Sequence, residues 1–143
     1  VRFKDIVGGV FSKIAVDSEL LNLLDIPSDN LETIKKQIVE EKYPAEIGAD
    51  NLPRLYIYEN QPTNSLNSST ECCNIQIDIY VPKSLYKEDK RTLLIASRLY
   101  DLLSGSDIEG ITLRYSTRLP NLPIDNNDWI KYGIVFNYTN III

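Results

Sequence analysis

The chain has 143 residues, of which 43% are hydrophobic and 24% charged, and a net charge of −5 from 15 basic and 20 acidic side chains. This balance is too apolar for intrinsic disorder, and its acidity excludes a protein that grips nucleic acid with its whole surface, since such binding needs a basic footprint. Histidine is absent, which removes the commonest general base and metal ligand near neutral pH.

The length is that of one domain spanning 1–143, and a chain of about 150 residues can bury ~68–70% of its unfolded surface without staples. Residues 1–14 carry Arg2, Lys4, Asp5 and Lys13 around short apolar steps, so neither a signal peptide nor, with no apolar run near ~20 residues, a membrane span is expected. The glycosylation-like triplets at Asn67 and Asn137 therefore carry little weight. Phe3, Ile6, Val7, Val10, Phe11 and Ile14 recur at steps of three and four, which predicts a first amphipathic helix, weakened at Gly8 and Gly9 by about 1 kcal/mol each. Asp17 or Ser18 can cap a short second helix through Leu24, ended by Pro27. Ser28 or Asp29 can cap a third with Leu31, Ile34 and Ile38 on one face, stopped by Pro44.

Residues 45–52 read as a connector. Pro53 then opens a strand over 54–59, with Leu55 and Ile57 alternating with Tyr56 and Tyr58. The stretch 60–71 turns to Asn, Ser, Thr, Gln and Pro, with Leu66 its only large apolar residue; it predicts a long polar arm or loop, mobile or shaped by a partner.

The centre of the chain is 72–104. Cys73, Ile75, Ile77, Ile79 and Val81 fall on one side of a pleat, and Cys72, Asn74, Gln76, Asp78 and Tyr80 on the other, so one face suits a core and the other water or a partner. Adjacent cysteines on a strand point to opposite faces and form no zinc or redox spacing, so one buried and one open free thiol are expected, as suits a reducing site of folding. After Pro82, a helix is predicted over about 86–103. Leu94, Ile95, Leu99, Leu102 and Leu103 lie on one side, a mixed charged run fills 87–91, and Gly105 follows as C-cap. Ile111, Leu113, Tyr115 and Thr117 alternate with Thr112, Arg114, Ser116 and Arg118, 119–128 forms a second loop, and Ile130, Tyr132, Ile134, Phe136 and Tyr138 mark the last strand. The order predicts an α+β fold: an antiparallel sheet of about four strands with the long helix and the N-terminal helices packed on one face.

Chemistry is sparse. Asp125, Asn126, Asn127 and Asp128 lack the spacing, glycine and distal glutamate of a calcium loop and read as a turn. The run 87–91 mixes signs and reads as a solvated helix start. Asp78 with Lys83 is the best that a small metal-dependent nuclease could use, without any specific signature. No GxGxxG, Walker A, nucleophile-elbow or zinc-protease motif occurs, so no enzyme activity, cofactor or metal is expected. Arg114 and Arg118, with Arg54 and Lys131, form a basic strip if their strands are neighbours, serving either as solvated charges or as a surface for an acidic partner.

Taken together, the amphipathic start at 3–14, "PRLYIYEN", the polar arm, "CNIQIDIYVPK", "RTLLIASRLYDLLSG" and "GITLRYSTRLPNLPIDNNDWIKYGIVFNYT" resemble the tail terminator or tail-completion (head-tail joining) proteins of tailed bacteriophages, over nearly the whole chain. The resemblance implies an antiparallel sheet carrying one long helix and a homo-hexameric ring that caps the tail tube and joins the tail to neck or connector proteins. It also implies a virion location after assembly in the host bacterial cytoplasm, with DNA passing the lumen without specific binding. Other neck and tail assembly proteins, a head-completion adaptor or an assembly chaperone, share closely related plans. The polar strand face supplies the expected subunit or partner interface: Tyr56, Tyr58, Asn74, Gln76, Asp78, Tyr80, Arg114 and Arg118, aromatic and Arg chemistry of the kind interfaces favour.

Overall fold

The computed structural model describes residues 2–27, 30–42, 50–120, 122–124 and 128–142. Ser28, Asp29, Pro44, most of the 45–52 connector and Asp125, Asn126 and Asn127 lie outside them.

Asp5 opens α1 (Ile6–Ile14) by accepting from Gly8 N at 2.9 Å, and Asp17 opens α2 (Ser18–Leu23) by accepting from Leu20 N at 2.9 Å. Each satisfies an amide that the first turn leaves without a helical partner. Asn30 does the same for α3 (Leu31–Gln37). Ile38, expected on that helix, instead begins β1 (Ile38–Val39). Gln37 is the hinge: its buried amide donates to the carbonyls of Leu24 at 2.6 Å and Pro53 at 3.0 Å, fastening the turn beside the next strand.

The strand predicted from alternation is β2 (Arg54–Glu59). The arm is a hairpin: β3 (Thr63–Asn64) folds back on the start of β4 (Thr70–Pro82). The single long helix expected after β4 is two, α4 (Lys83–Asp89) and α5 (Arg91–Leu103). They join at Lys90, whose φ of 53° is left-handed and costs a non-glycine residue about 1–2 kcal/mol. Arg91 supports the break: it donates to Leu23 O at 2.8 Å and pairs with Asp89 at 2.9 Å and Asp25 at 3.4 Å. The predicted strand at 111–118 is also two pieces. A small hairpin of β5 (Asp107–Ile108) and β6 (Ile111–Thr112) precedes β7 (Arg114–Leu119), which pairs with β8 (Trp129–Ile141).

The main sheet runs β1-β2-β4-β8-β7, with β3 added to β4. The β2-β4-β8-β7 core is antiparallel, as expected. The parallel edge pair β1-β2 makes the whole sheet mixed, with more strands than the alternation announced. Two residues of strand at the end of a helix leave no period-two signal to read.

One face of the sheet carries Leu55, Ile57, Ile75, Ile77, Ile79, Tyr132, Ile134 and Phe136 against α1 and α5, with α2 packed on α5, and together these form the main core. Ile95, Leu99 and Leu103 meet it from α5, while Leu102 packs at its margin. Gly9 lets the β5-β6 hairpin close on α1, because a Cβ there would stand 2.3 Å from Ile108 Cγ2. Gly9→Ala is therefore expected to lower stability by about 1–3 kcal/mol in chemical denaturation, although alanine is the better helix former.

Asp17 also anchors α2 to α5. Arg98 donates to its two oxygens at 2.9 and 2.6 Å, and that ion pair holds the Asp17 carboxyl below its ordinary range despite partial burial. A carboxylate with a depressed folded-state pKa stabilises fully above its unfolded value near pH ~4 and loses that contribution as pH falls through the folded value. Asp17→Ala is expected to cost about 1–2 kcal/mol at pH 7 through its lost cap, with the gap to wild type narrowing in denaturation curves taken near pH 3.

Candidate subunit interface

The second face of the sheet holds the residues singled out for a partner, and strand parity places Tyr56, Tyr58, Asn74, Gln76, Asp78, Tyr80 and Arg114 there. It is not an open surface. Tyr56, Tyr58, Asp78 and Tyr80 are buried within the chain itself, and Asn74 and Gln76 are half-buried. Tyr56 and Tyr80 meet edge to face at 5.2 Å and form a small second core with Trp129, Val39 and Ile124. The segment following β7 supplies the cover. Leu122 lies over Gly133, where an added Cβ would come within 3.0 Å of its Cδ1 and 3.2 Å of Leu119 Cβ. A glycine inside a strand often marks such a close approach, and with Leu122 and Ile124 it is the sequence signal for this cover.

Asp78 sits at the centre of a buried polar network. Its carboxylate accepts from Tyr58 Oη and Gln76 Nε2, both at 2.8 Å, and lies 3.8 Å from Lys131 Nζ. Asn60, at the base of the arm, extends the network by donating to Asn74 Oδ1 at 2.6 Å and Gln76 Oε1 at 3.2 Å. Both oxygens of Asp78 are thus engaged by protein donors. Its role here is to satisfy buried groups, which cost free energy when left unpaired.

The basic strip does not form. Arg54 is buried against Trp129, 5.8 Å from the ring centre, and pairs with Asp50. Lys131 is occupied by Asp78 and the Tyr80 ring. Arg114 and Arg118 point to opposite faces, because a bulge between Tyr115 and Thr117 pairs Arg114 with Asn137 but Arg118 with Ile134. One extra residue reverses strand parity. Arg118 accordingly donates to Tyr132 Oη at 3.2 Å on the helix side. Arg114 lines an open, polar groove of about 660 Å³ with Asn74, Asn137, Thr112, Thr139 and Lys4.

The two free cysteines divide as expected, Cys72 exposed and Cys73 buried. Burial pushes the Cys73 thiol up to about 11. Burial likewise raises the Tyr138 hydroxyl well above the ordinary tyrosine range, reinforced by its hydrogen bond to Glu59.

A mixed sheet with helices against one face, a second face partly covered by Leu122 and Ile124, and a projecting hairpin defines a scaffold whose outward features among the described residues are grooves, edges and the arm. The same fold occurs in a chain of the virion of a native gene transfer agent particle, with a TM-score of 0.57 and 11% identity over 95% of this chain and 94% of that one. A further solved chain aligns with a TM-score of 0.50 and 12% identity over 87% of this chain and 96% of that chain. Residues 17–139 match the YomW family. The chain belongs to that family and is phage-related. A search of curated proteins returns no match.

Asp78→Ala strips acceptors from Tyr58, Gln76 and Lys131 at once. It is expected to lower stability by about 3 kcal/mol, measured by chemical denaturation, with Tyr58→Phe costing less because it removes one donor and leaves the carboxylate its other partners.

Proposed function

We propose that the chain is a structural, non-enzymatic subunit of a phage or phage-like particle. In this reading it forms a hexameric ring that caps the tail tube and joins the tail to the neck. The observation that carries it is the end-to-end correspondence with a virion chain, 95% of this chain against 94% of that one, together with membership of YomW. A ring needs a heterologous interface, two different patches that close under rotation, and the chain offers separate outward patches, among them the Arg114 groove and the hairpin arm. The net charge of −5 suits a lumen that lets DNA pass, since acidic walls repel phosphate.

An assembly chaperone or head-completion adaptor is the competing reading. The neighbour was resolved as part of a particle, which favours a permanent component. Native mass measurement over a concentration series separates them: the ring reading expects monomers to pass to one closed oligomer, seen as annuli by electron microscopy and retained in particles. A monomer or dimer at every concentration, missing from finished particles, points to the chaperone. Arg114→Glu is expected to weaken assembly without changing the melting temperature, since Arg114 is exposed.

A further inference from the structure

The tip of the arm carries an apolar side chain that no described residue covers. Leu66 is fully exposed, yet the turn that presents it is closely bonded. Thr70 N donates to Asn67 O at 3.1 Å, Ser69 N to Asn67 Oδ1 at 2.9 Å, and Asn67 N to Ser65 Oγ at 3.1 Å. The end of β8 clamps it from outside, with Ile142 N donating to Ser69 O at 2.8 Å. Leu66 is therefore a knob on an ordered turn, with much of the entropy cost of presenting it already met in the fold.

A partly apolar hollow lies elsewhere on the molecule. Between α5 and β7, Leu93, Tyr100 and Tyr115 are 39%, 44% and 37% exposed, and they line a groove of about 400 Å³ with Ala96, Tyr132 and Ile134. Tyr115 stands edge to face between Tyr100, at 5.3 Å, and Phe136, at 6.3 Å. Asp101 and Arg118 stand among the residues of the groove and give it a polar rim. An apolar centre with a polar rim is the anatomy of a protein interface.

The knob cannot fill its own hollow. On the β4-β8 ladder Ile134 pairs with Ile77, whereas Thr70, below the tip, pairs with Ile141. That separation along the strand is roughly 24 Å at ~3.4 Å per residue, and the clamp holds the turn at the far end.

We infer that Leu66 of one copy seats in the Leu93/Tyr100/Tyr115 groove of the next copy, so that the ring closes arm to groove. The inference rests on the ring reading above and names the contact that reading lacks. Knob and hollow are different patches, the requirement for a heterologous, closing interface.

Two measurements test it. In a Cys72→Ser background, chains carrying Leu66→Cys are mixed with chains carrying Ser97→Cys, a groove residue on the exposed side of α5, and oxidised. A disulfide-linked pair containing one chain of each kind is expected, and neither chain alone should cross-link. Separately, Leu66→Asp should raise the concentration at which the oligomer forms by at least about tenfold, with the melting temperature of the monomer unchanged because Leu66 is fully exposed in it. A wild-type oligomer that Leu66→Asp leaves intact, with no mixed disulfide, overturns the arm-to-groove contact and leaves the ring reading standing. A wild-type chain that stays monomeric at every concentration overturns both.

Discussion

The antiparallel ladder between β4 and β8 is the interaction on which everything else depends. It runs without a shift from Thr70 paired with Ile141 to Pro82 paired with Trp129. Because strand side chains alternate with a period of two, this register decides which residues face the helices and which face away. A slip of one position would exchange Ile75, Ile77 and Ile79 for Asn74, Gln76 and Asp78 in the main core, burying amides and a carboxylate without partners. The ladder also outruns its neighbours: β2 covers only 75–80 of β4, and β7 only 133–137 of β8. What projects past them becomes the arm.

The same ladder creates a second interior. Its far face carries too much aromatic surface, from Tyr56, Tyr80 and Trp129, to be left wet, and the chain covers it with Ile124, Leu122 and the β1 edge rather than with a helix. The polar residues beneath that cover are tolerated because they bond to one another. Asp78 with Tyr58, Gln76 and Lys131 forms a network in which removal of the carboxylate strands the other three. Such a network adds little net stability but strongly penalises any arrangement that breaks it. A frame with one bonded protrusion is well suited to assembly, since little order has to be gained at that contact.

For a phage-related chain of the YomW family, this shifts attention from the middle of the sheet to its periphery. The outward chemistry lies in the Arg114 groove at one end of β8, in the α5-β7 hollow, and at the tip of the hairpin. These are separate patches on one frame, and separate patches are what head-to-tail association requires.

Much of the frame was legible in the sequence, and the reason is locality. Alternation identified β2, β4 and β8 and the apolar face of each, helical spacing identified α1 and α5, and Asp17 could be named as a cap, because each signal is carried by residues a few positions apart. The adjacent cysteines sorted themselves into one buried and one exposed by the same parity. What tertiary structure alone decided is non-local. The break at Lys90 has no glycine or proline to announce it and is supported by Arg91 reaching back to Leu23 and Asp25. The bulge that sends Arg118 to the helix side leaves no mark in an alternating string, so Arg114 and Arg118 read as neighbours on one face although they are not. Whether a polar strand face meets water, a partner or its own loop depends on where a distant segment comes to rest. Here Leu122 found the space over Gly133, covering part of a face that alternation alone left open.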